Sequence, residues 1–279
     1  MRARMGSGSM DNPPAGLITM RSSKSYTRHQ FQALSGYILP PGDRSHHGLV
    51  AVGHTALVPP WTDPAVHSHS DSEECYVLLR GELRFRVAGA TADLRPREML
   101  VVHPHVPHAI IGGTGPIEHI GIRAPAMDDK VDEGATDSLV ANKSYDAKRE
   151  LRARWGYRIP LGSDDNQNCW LLGADRARFP SSHLIFAYLN FRTHEKAKAG
   201  AGLLHRLHYH QDSWEYYLVL QGSKTIRIEN EMVTLRPGDL LETPPGVRHT
   251  VVERQAPYEG ITFRVPIRLD DKVVSPCVV

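Results

Sequence analysis

The sequence predicts an all-β chain folded as two similar jelly-roll barrels in tandem, and three observations carry that reading. His67-Ser-His69, Glu74 and Gly81 recur as His208-Tyr-His210, Glu215 and Gly222, every member 141 residues further on. Short apolar runs end at glycines and turn signals, as strands do. Stretches of helical periodicity are few.

The repeat comes first because it sets the architecture. The same offset joins Leu94-Arg95-Pro96 to Leu235-Arg236-Pro237, His108 to His249, and Arg123 to Arg264. Asp129-Lys130-Val131 echoes Asp271-Lys272-Val273 at 142. Chance does not keep one register over about sixty residues, so the chain is a duplication. Upstream, Lys24-Ser25-Tyr26 and Gly36-Tyr37 match Lys143-Ser144-Tyr145 and Gly156-Tyr157, 119 and 120 apart. That shorter offset predicts about 21 extra residues in the second copy, assigned to the polar loop Thr193–Gly202. The resulting division is a flexible leader over 1–20, a first unit over 21–131, a linker over 132–143 and a second unit over 144–279. A short helix is expected at Tyr145–Trp155, where helix formers carry alternating charges.

Within each unit, Cys75–Leu79 and Tyr216–Leu220 are continuous apolar runs that read as buried strands. Leu83–Val87 and Lys224–Ile228 alternate in polarity, as strands with one wet face do. Pro237-Gly-Asp239 and Pro244-Pro-Gly246 supply turns.

Composition narrows the function. With 41% hydrophobic and 23% charged residues and a net charge of +2, the chain reads as an ordinary soluble protein. It shows no basic stripe for nucleic acid and no apolar run of membrane-spanning length. Three cysteines without a CxxC pair indicate neither a disulfide framework nor a cysteine zinc site. A cytoplasmic setting is expected. The 16 histidines stand out.

In a strand, residues i and i+2 face the same way, so His-x-His puts two imidazoles on one face. A glutamate past the next turn and a histidine from a later strand would close a site. The two candidate metal quartets are His67, His69, Glu74 and His108, and His208, His210, Glu215 and His249. Glu73 is the weaker choice beside Glu74, because only Glu74 keeps the spacing to Gly81 and the offset to Glu215. Such nitrogen-plus-carboxylate sets suit divalent transition metals. Lone histidines such as His119, His183 and His194 read instead as surface or hydrogen-bonded side chains. Tyr76 and Tyr217 share a strand face with the glutamates and are candidate substrate contacts, with barrel packing the plain alternative. His205 is a further candidate contact. His103 and His105 occupy loop positions where the second copy has Pro and Gly, and are candidates for a proton relay at the first site.

These residues bring a resemblance into view. Gly202, His208-Tyr-His210, Glu215 and Gly222, then Gly238, Pro244-Pro-Gly246 and His249, are similar in type and spacing to the two cupin motifs. The first copy keeps the spacing from His67 to His108 but has Trp61, Arg97, His103 and His105 at consensus Gly, Gly, Pro and Gly. The chain thus resembles the bicupins, which implies two cupin-type jelly-roll barrels with a few short helices. It also implies one divalent transition metal per domain, Fe(II) first, with Mn, Ni, Cu or Zn as alternatives. The activity it suggests is a dioxygenase-type oxygenase on a small organic substrate, with Glu74 and Glu215 also placed to accept a substrate proton. A non-redox isomerase, lyase or decarboxylase, and a binding or storage protein with structural metals, are the alternatives. A homodimer is compatible with the resemblance. The fuller consensus of the second copy makes it the expected principal site.

Overall fold

The structure is a computed structural model of the chain. It describes residues 18–22, 26–30, 36–41, 48–58, 63–135, 156–161, 167–173, 177, 179–192, 195–196, 206–268 and 270–275. All regular structure among these residues is β. The first half contributes β1 (Ile18–Ser22), β2 (Thr27–Gln30), β3 (Gly36–Leu39), β4 (Ala51–Leu57), β5 (Asp63–His69), β6 (Glu73–Val87), β7 (Ala90–Leu94), β8 (Glu98–Val102), β9 (His108–Ala124) and β10 (Lys130–Ala135). The second contributes β11 (Gly156–Pro160), β12 (Gln167–Leu172), β13 (Ile185–Phe191), β14 (Glu195–Lys196), β15 (His208–His210), β16 (Trp214–Ile228), β17 (Glu231–Leu235), β18 (Asp239–Thr243), β19 (His249–Val265) and β20 (Lys272–Val274). The expected helix at Tyr145–Trp155 lies outside the described residues. No helix is long and apolar enough to cross a membrane among them.

The strands form one nine-stranded and one eleven-stranded sheet, each centred on a pair of long antiparallel strands, β6 with β9 and β16 with β19. These long strands bend at repeated register shifts, which lets one sheet curl into a barrel. Gly81 (φ +78°) and Gly222 (φ +73°) sit at such shifts in the left-handed region. A Cβ on Gly81 would lie 2.5 Å from the carbonyl oxygen of Pro116, so glycine is required there by contact as well as by φ.

The sheets exchange their opening strands. β2 pairs with β18 in the second sheet, and β11 pairs with β8 in the first. At these edges Gln30 faces Asp239 and Pro160 faces Glu98. Because Glu98 and Asp239 are 141 apart, β2 and β11 are the equivalent strands, 130 residues apart. The upstream match of Gly36-Tyr37 with Gly156-Tyr157 is therefore a correction: the former lies in β3 against β4, the latter in β11 against β8. Ala51 and Ile185 face Arg123 and Arg264, so β4 and β13 are offset by 134. The second copy thus gains 7 residues, not 21, between this strand and the histidine motif. A two- or three-residue likeness in a turn-rich segment carries little positional information; the ladder does.

Three cores explain why the runs at Cys75 and Tyr216 are apolar on both faces. Tyr76, Leu78, Leu83, Phe85 and Leu100 fill the first barrel, and Tyr217, Val219, Ile226, Leu235 and Tyr258 fill the second. Alternate residues of the same strands, Cys75 and Val77 with Tyr216 and Leu218, point the other way into a shared core between the barrels. There Tyr216 stacks on Phe263, centroids 4.6 Å apart. Beyond the bend one face is wet, and Leu83–Val87 alternates as expected.

Candidate metal centres

The two histidine–glutamate quartets assemble. In each, four donor atoms lie within 4.8 Å of one another. β5 and β15 carry the paired histidines. β6 and β16 bring the glutamates, and the first residues of β9 and β19 are His108 and His249. Pairing completes the placement, since His67 faces His108 and His208 faces His249 across adjacent strands.

The geometry repeats closely. Oε2 of Glu74 lies 3.7, 3.2 and 2.9 Å from Nε2 of His67, His69 and His108. Oε2 of Glu215 lies 3.9, 3.3 and 2.6 Å from Nε2 of His208, His210 and His249. Every Nδ1 faces the protein instead. His108 and His249 donate it to the carbonyls of Val106 and Val247, both at 2.9 Å, and His208 to that of Arg206 at 2.7 Å. His69 donates to Asp129 at 3.0 Å, and Asp271 lies 3.2 Å from Nδ1 of His210. Protons held at Nδ1 of His69, His108, His208 and His249 leave their Nε2 lone pairs directed at the centres, while Nδ1 of His210 also faces the Arg264 guanidinium at 2.9 Å. Nε2 of His69 and of His210 is buried and, among the described residues, forms no hydrogen bond.

Three neutral nitrogens and one carboxylate oxygen converging on a point, with two orphaned lone pairs, fit a divalent transition metal. The charge state agrees. Burial alone would raise the Glu74 and Glu215 carboxyls, but the surrounding histidines outweigh it and hold both well below the usual range. Burial lowers His67 and His208, against the pull of their glutamates, which favours the neutral, ligating form.

The two centres differ in their surroundings. Glu74 and His67 are 18% and 13% exposed at the side chain, against 7% each for Glu215 and His208, so the first centre is the more open. In the second, the Tyr217 hydroxyl donates to Glu215 Oε2 at 2.8 Å. Burial, then the nearby carboxylate, raises that phenol well above its ordinary value and keeps it protonated. Tyr76 in the first barrel packs its ring 6.2 Å from His108 and 5.9 Å from His119. His119, expected at the surface or hydrogen-bonded, is buried in the barrel, and burial pushes its pKa down to about 4.

Of the other candidates, His103 bonds Glu73 at 3.0 Å. Glu73 and Glu74 are consecutive in β6 and point to opposite faces, so His103 stands apart from the first quartet. His105 is exposed at φ +63°, and its amide donates to the carbonyl of His69 at 2.7 Å. His205 and His194 lie outside the described residues. Sequence reasoning missed the roles of Asp129 and Asp271, although the echo at 142 marked both. It also missed Lys224 and Arg254.

A cavity of about 60 Å³ opens beside the second quartet, touching His208, Glu215 and Tyr217. Trp170, Leu189 and Val251 form its apolar wall, and Lys224, Arg254 and Lys272 its cationic one. A larger cavity, about 510 Å³, lies between the barrels around Arg97, Glu118, Tyr188 and Glu259, and neither quartet reaches it. The small one adjoins the chemistry and is the one that matters here.

Barrel, register and quartets together define a class. The cupin domain family matches residues 53–118 and again 197–256, so the chain carries two cupin domains in tandem, the layout of a bicupin. No curated protein sequence matches it. Similar solved structures include oxalate decarboxylase OxdC from Bacillus subtilis (R92A mutant), with 12% identity, TM-score 0.57, 96% of this chain and 80% of that one. Protein Ylba from E. coli gives 10% identity and TM-score 0.55, with 92% of each chain covered. Salicylate 1,2-dioxygenase from Pseudaminobacter salicylatoxidans gives 16% identity and TM-score 0.53, over 83% and 75%. At these identities the likeness is one of fold.

Proposed function

We propose that the chain is a metal-dependent oxygenase of dioxygenase type, holding one divalent metal per domain, Fe(II) first, and acting on a small organic substrate at the second centre. The observation that carries this is the buried His208–His210–Glu215–His249 quartet opening onto its own cavity. A metal held by His208, His210, Glu215 and His249 would have room beside these four donors for a substrate oxygen atom and for dioxygen. A bound redox metal would supply a Lewis acid and a path for electrons between the two.

The chain's own residues do the rest. Nδ1 hydrogen bonds to the carbonyls of Arg206 and Val247 hold the His208 and His249 rings in one tautomer and one orientation, and Arg264 and Asp271 flank Nδ1 of His210. Glu215 stays ionised as a ligand. Tyr217, held as a phenol, donates to its Oε2 and so anchors and aims the carboxylate. Trp170, Leu189 and Val251 keep bulk water from the reacting edge. Tyr76 and the first quartet form the parallel site, in which Glu74 has the same ligand place.

The cationic wall of the cavity favours a second reading, decarboxylase or lyase chemistry on an organic acid. Oxygen separates the two. Protein purified without added metal should carry two metals per chain by elemental analysis, with one lost in His67→Ala and one in His208→Ala. An oxygen electrode, with a panel of small enols, phenols and organic acids, should then record uptake that depends on iron and on His208. Turnover without uptake moves the assignment to the non-redox reading. No metal after reconstitution rejects both.

A further inference from the structure

We propose that the second centre takes its substrate as a small carboxylate. The carboxylate sits between Lys224 and Arg254, and the short apolar body lies toward Trp170, Leu189 and Val251. This rests on reading that centre as a substrate-binding metal site.

Lys224 and Arg254 face each other directly across β16 and β19, so two cations share one face of the barrel wall. Like charges directly opposite weaken a sheet. The pair is also buried, Lys224 at 1% and Arg254 at 4% exposure. Among the described residues the Lys224 ammonium makes one hydrogen bond, to Thr262 Oγ1 at 3.4 Å, and lies 4.1 Å above the Tyr217 ring. It makes no ion pair there. Arg254 lies 4.7 Å over the Phe191 ring. Burial, with Arg254 opposite, pushes the Lys224 pKa well below its ordinary value, so holding that amine charged with one long hydrogen bond and an aromatic face is costly to the fold.

The sister barrel shows that the fold does not need it. At offset 141 the matching residues are Leu83 and Gly113, which face each other across β6 and β9, and Gly121 stands in place of Thr262. The first barrel closes this wall with an apolar pair. The second spends stability on two cations at the mouth of a metal quartet. An anion seated against Lys224 and Arg254 would hold the lysine charged and gain charge-assisted hydrogen bonds from both side chains. The cavity of about 60 Å³ limits the body of that anion to a few heavy atoms, and its other walls are apolar. Exposed Lys272 at the rim adds attraction for the incoming acid.

The test is calorimetric titration of the full-length chain loaded with zinc, so that binding is read without turnover. The probes are propionate, its uncharged isostere propionamide, and inorganic phosphate. One propionate per chain is expected, bound at least about tenfold more tightly than propionamide and than phosphate. Lys224→Met and Arg254→Met should each weaken propionate at least about tenfold, the scale of one buried charged hydrogen bond. Lys224→Arg should retain affinity, and Leu83→Met in the first barrel should leave it unchanged. Lys224→Met should melt at or above the wild-type temperature, which separates lost binding from lost folding. Equal binding of acid and amide, preference for phosphate, two equivalent sites per chain, or full affinity in Lys224→Met would each overturn the proposal. Zinc counted on the same samples separates the readings: two zincs without propionate binding overturns this proposal alone.

Discussion

Asp129 accepts the Nδ1 proton of His69 at 3.0 Å, from sixty residues further along the chain. The same carboxylate takes the amides of Asp71 and Ser72 at 2.9 and 2.7 Å, so it fixes the turn after the histidine as well as the ring. Asp271 takes the matching place, 3.2 Å from Nδ1 of His210 and accepting the Asp212 amide at 2.8 Å, with Arg264 also 2.9 Å from that Nδ1. Asp129→Asn should lower metal affinity at the first centre by about 10–100-fold and leave the second intact; Asp271→Asn should do the reverse. Chelator competition followed by metal analysis per chain reads this. Equal loss at both centres in either variant would refute it.

The exchanged strand β2 carries its own prediction. His29 of β2 and Glu242 of β18 form a buried pair, 1% and 3% exposed at the side chain. Removing one partner takes a buried hydrogen bond from the other. His29→Ala should cost about 1–3 kcal/mol, while replacing both with leucine should cost less. Urea unfolding of the two variants measures it. Similar losses in the single and double variants would show that the pair is not coupled.

His119 sets a pH dependence. Its folded pKa of about 4 lies below the unfolded 6.5. Above 6.5 the residue is neutral in both states and contributes nothing. Below 6.5 the unfolded chain binds the proton first, so stability falls as pH drops, by up to about 3 kcal/mol at pH 4. His119→Gln should flatten the stability-versus-pH curve between 6.5 and 4. A slope equal to the wild type's would reject this account.

His105 (φ +63°) and Arg97 (φ +64°) hold left-handed backbone where the second copy has Gly246 (φ +79°) and Gly238 (φ +90°). The first copy keeps the turn geometry without the residue suited to it. His105→Gly should therefore raise stability, by about 0.5–1 kcal/mol, without changing metal content. Differential scanning calorimetry decides, and a lower melting temperature would refute the strain.

Much of the site was legible because a strand's period of two is rigid. His-x-His, the gap to Glu74 and Glu215, and the offset of 141 name all eight members of the two clusters without coordinates. The same rule separates Glu74 from Glu73, which points to His103 and Ser181 on the opposite face. Asp129 and Asp271 were visible as an echo but without a role, since nothing local tells an aspartate which histidine it will meet.

The sequence by itself determined the duplication, the β character and the two quartets, because these follow from residue type and spacing along single strands. Only the tertiary structure decided which strands close which sheet. Ladder pairing, not local likeness, sends β2 to β18 and β11 to β8. It decided that the apolar runs serve two cores, one within each barrel and one between them. It decided too what Lys224 meets. Alternation along Lys224–Ile228 already sets Lys224 on the face of Ile226 and Ile228, but only closure of the barrel brings its amine over Tyr217 beside the second quartet.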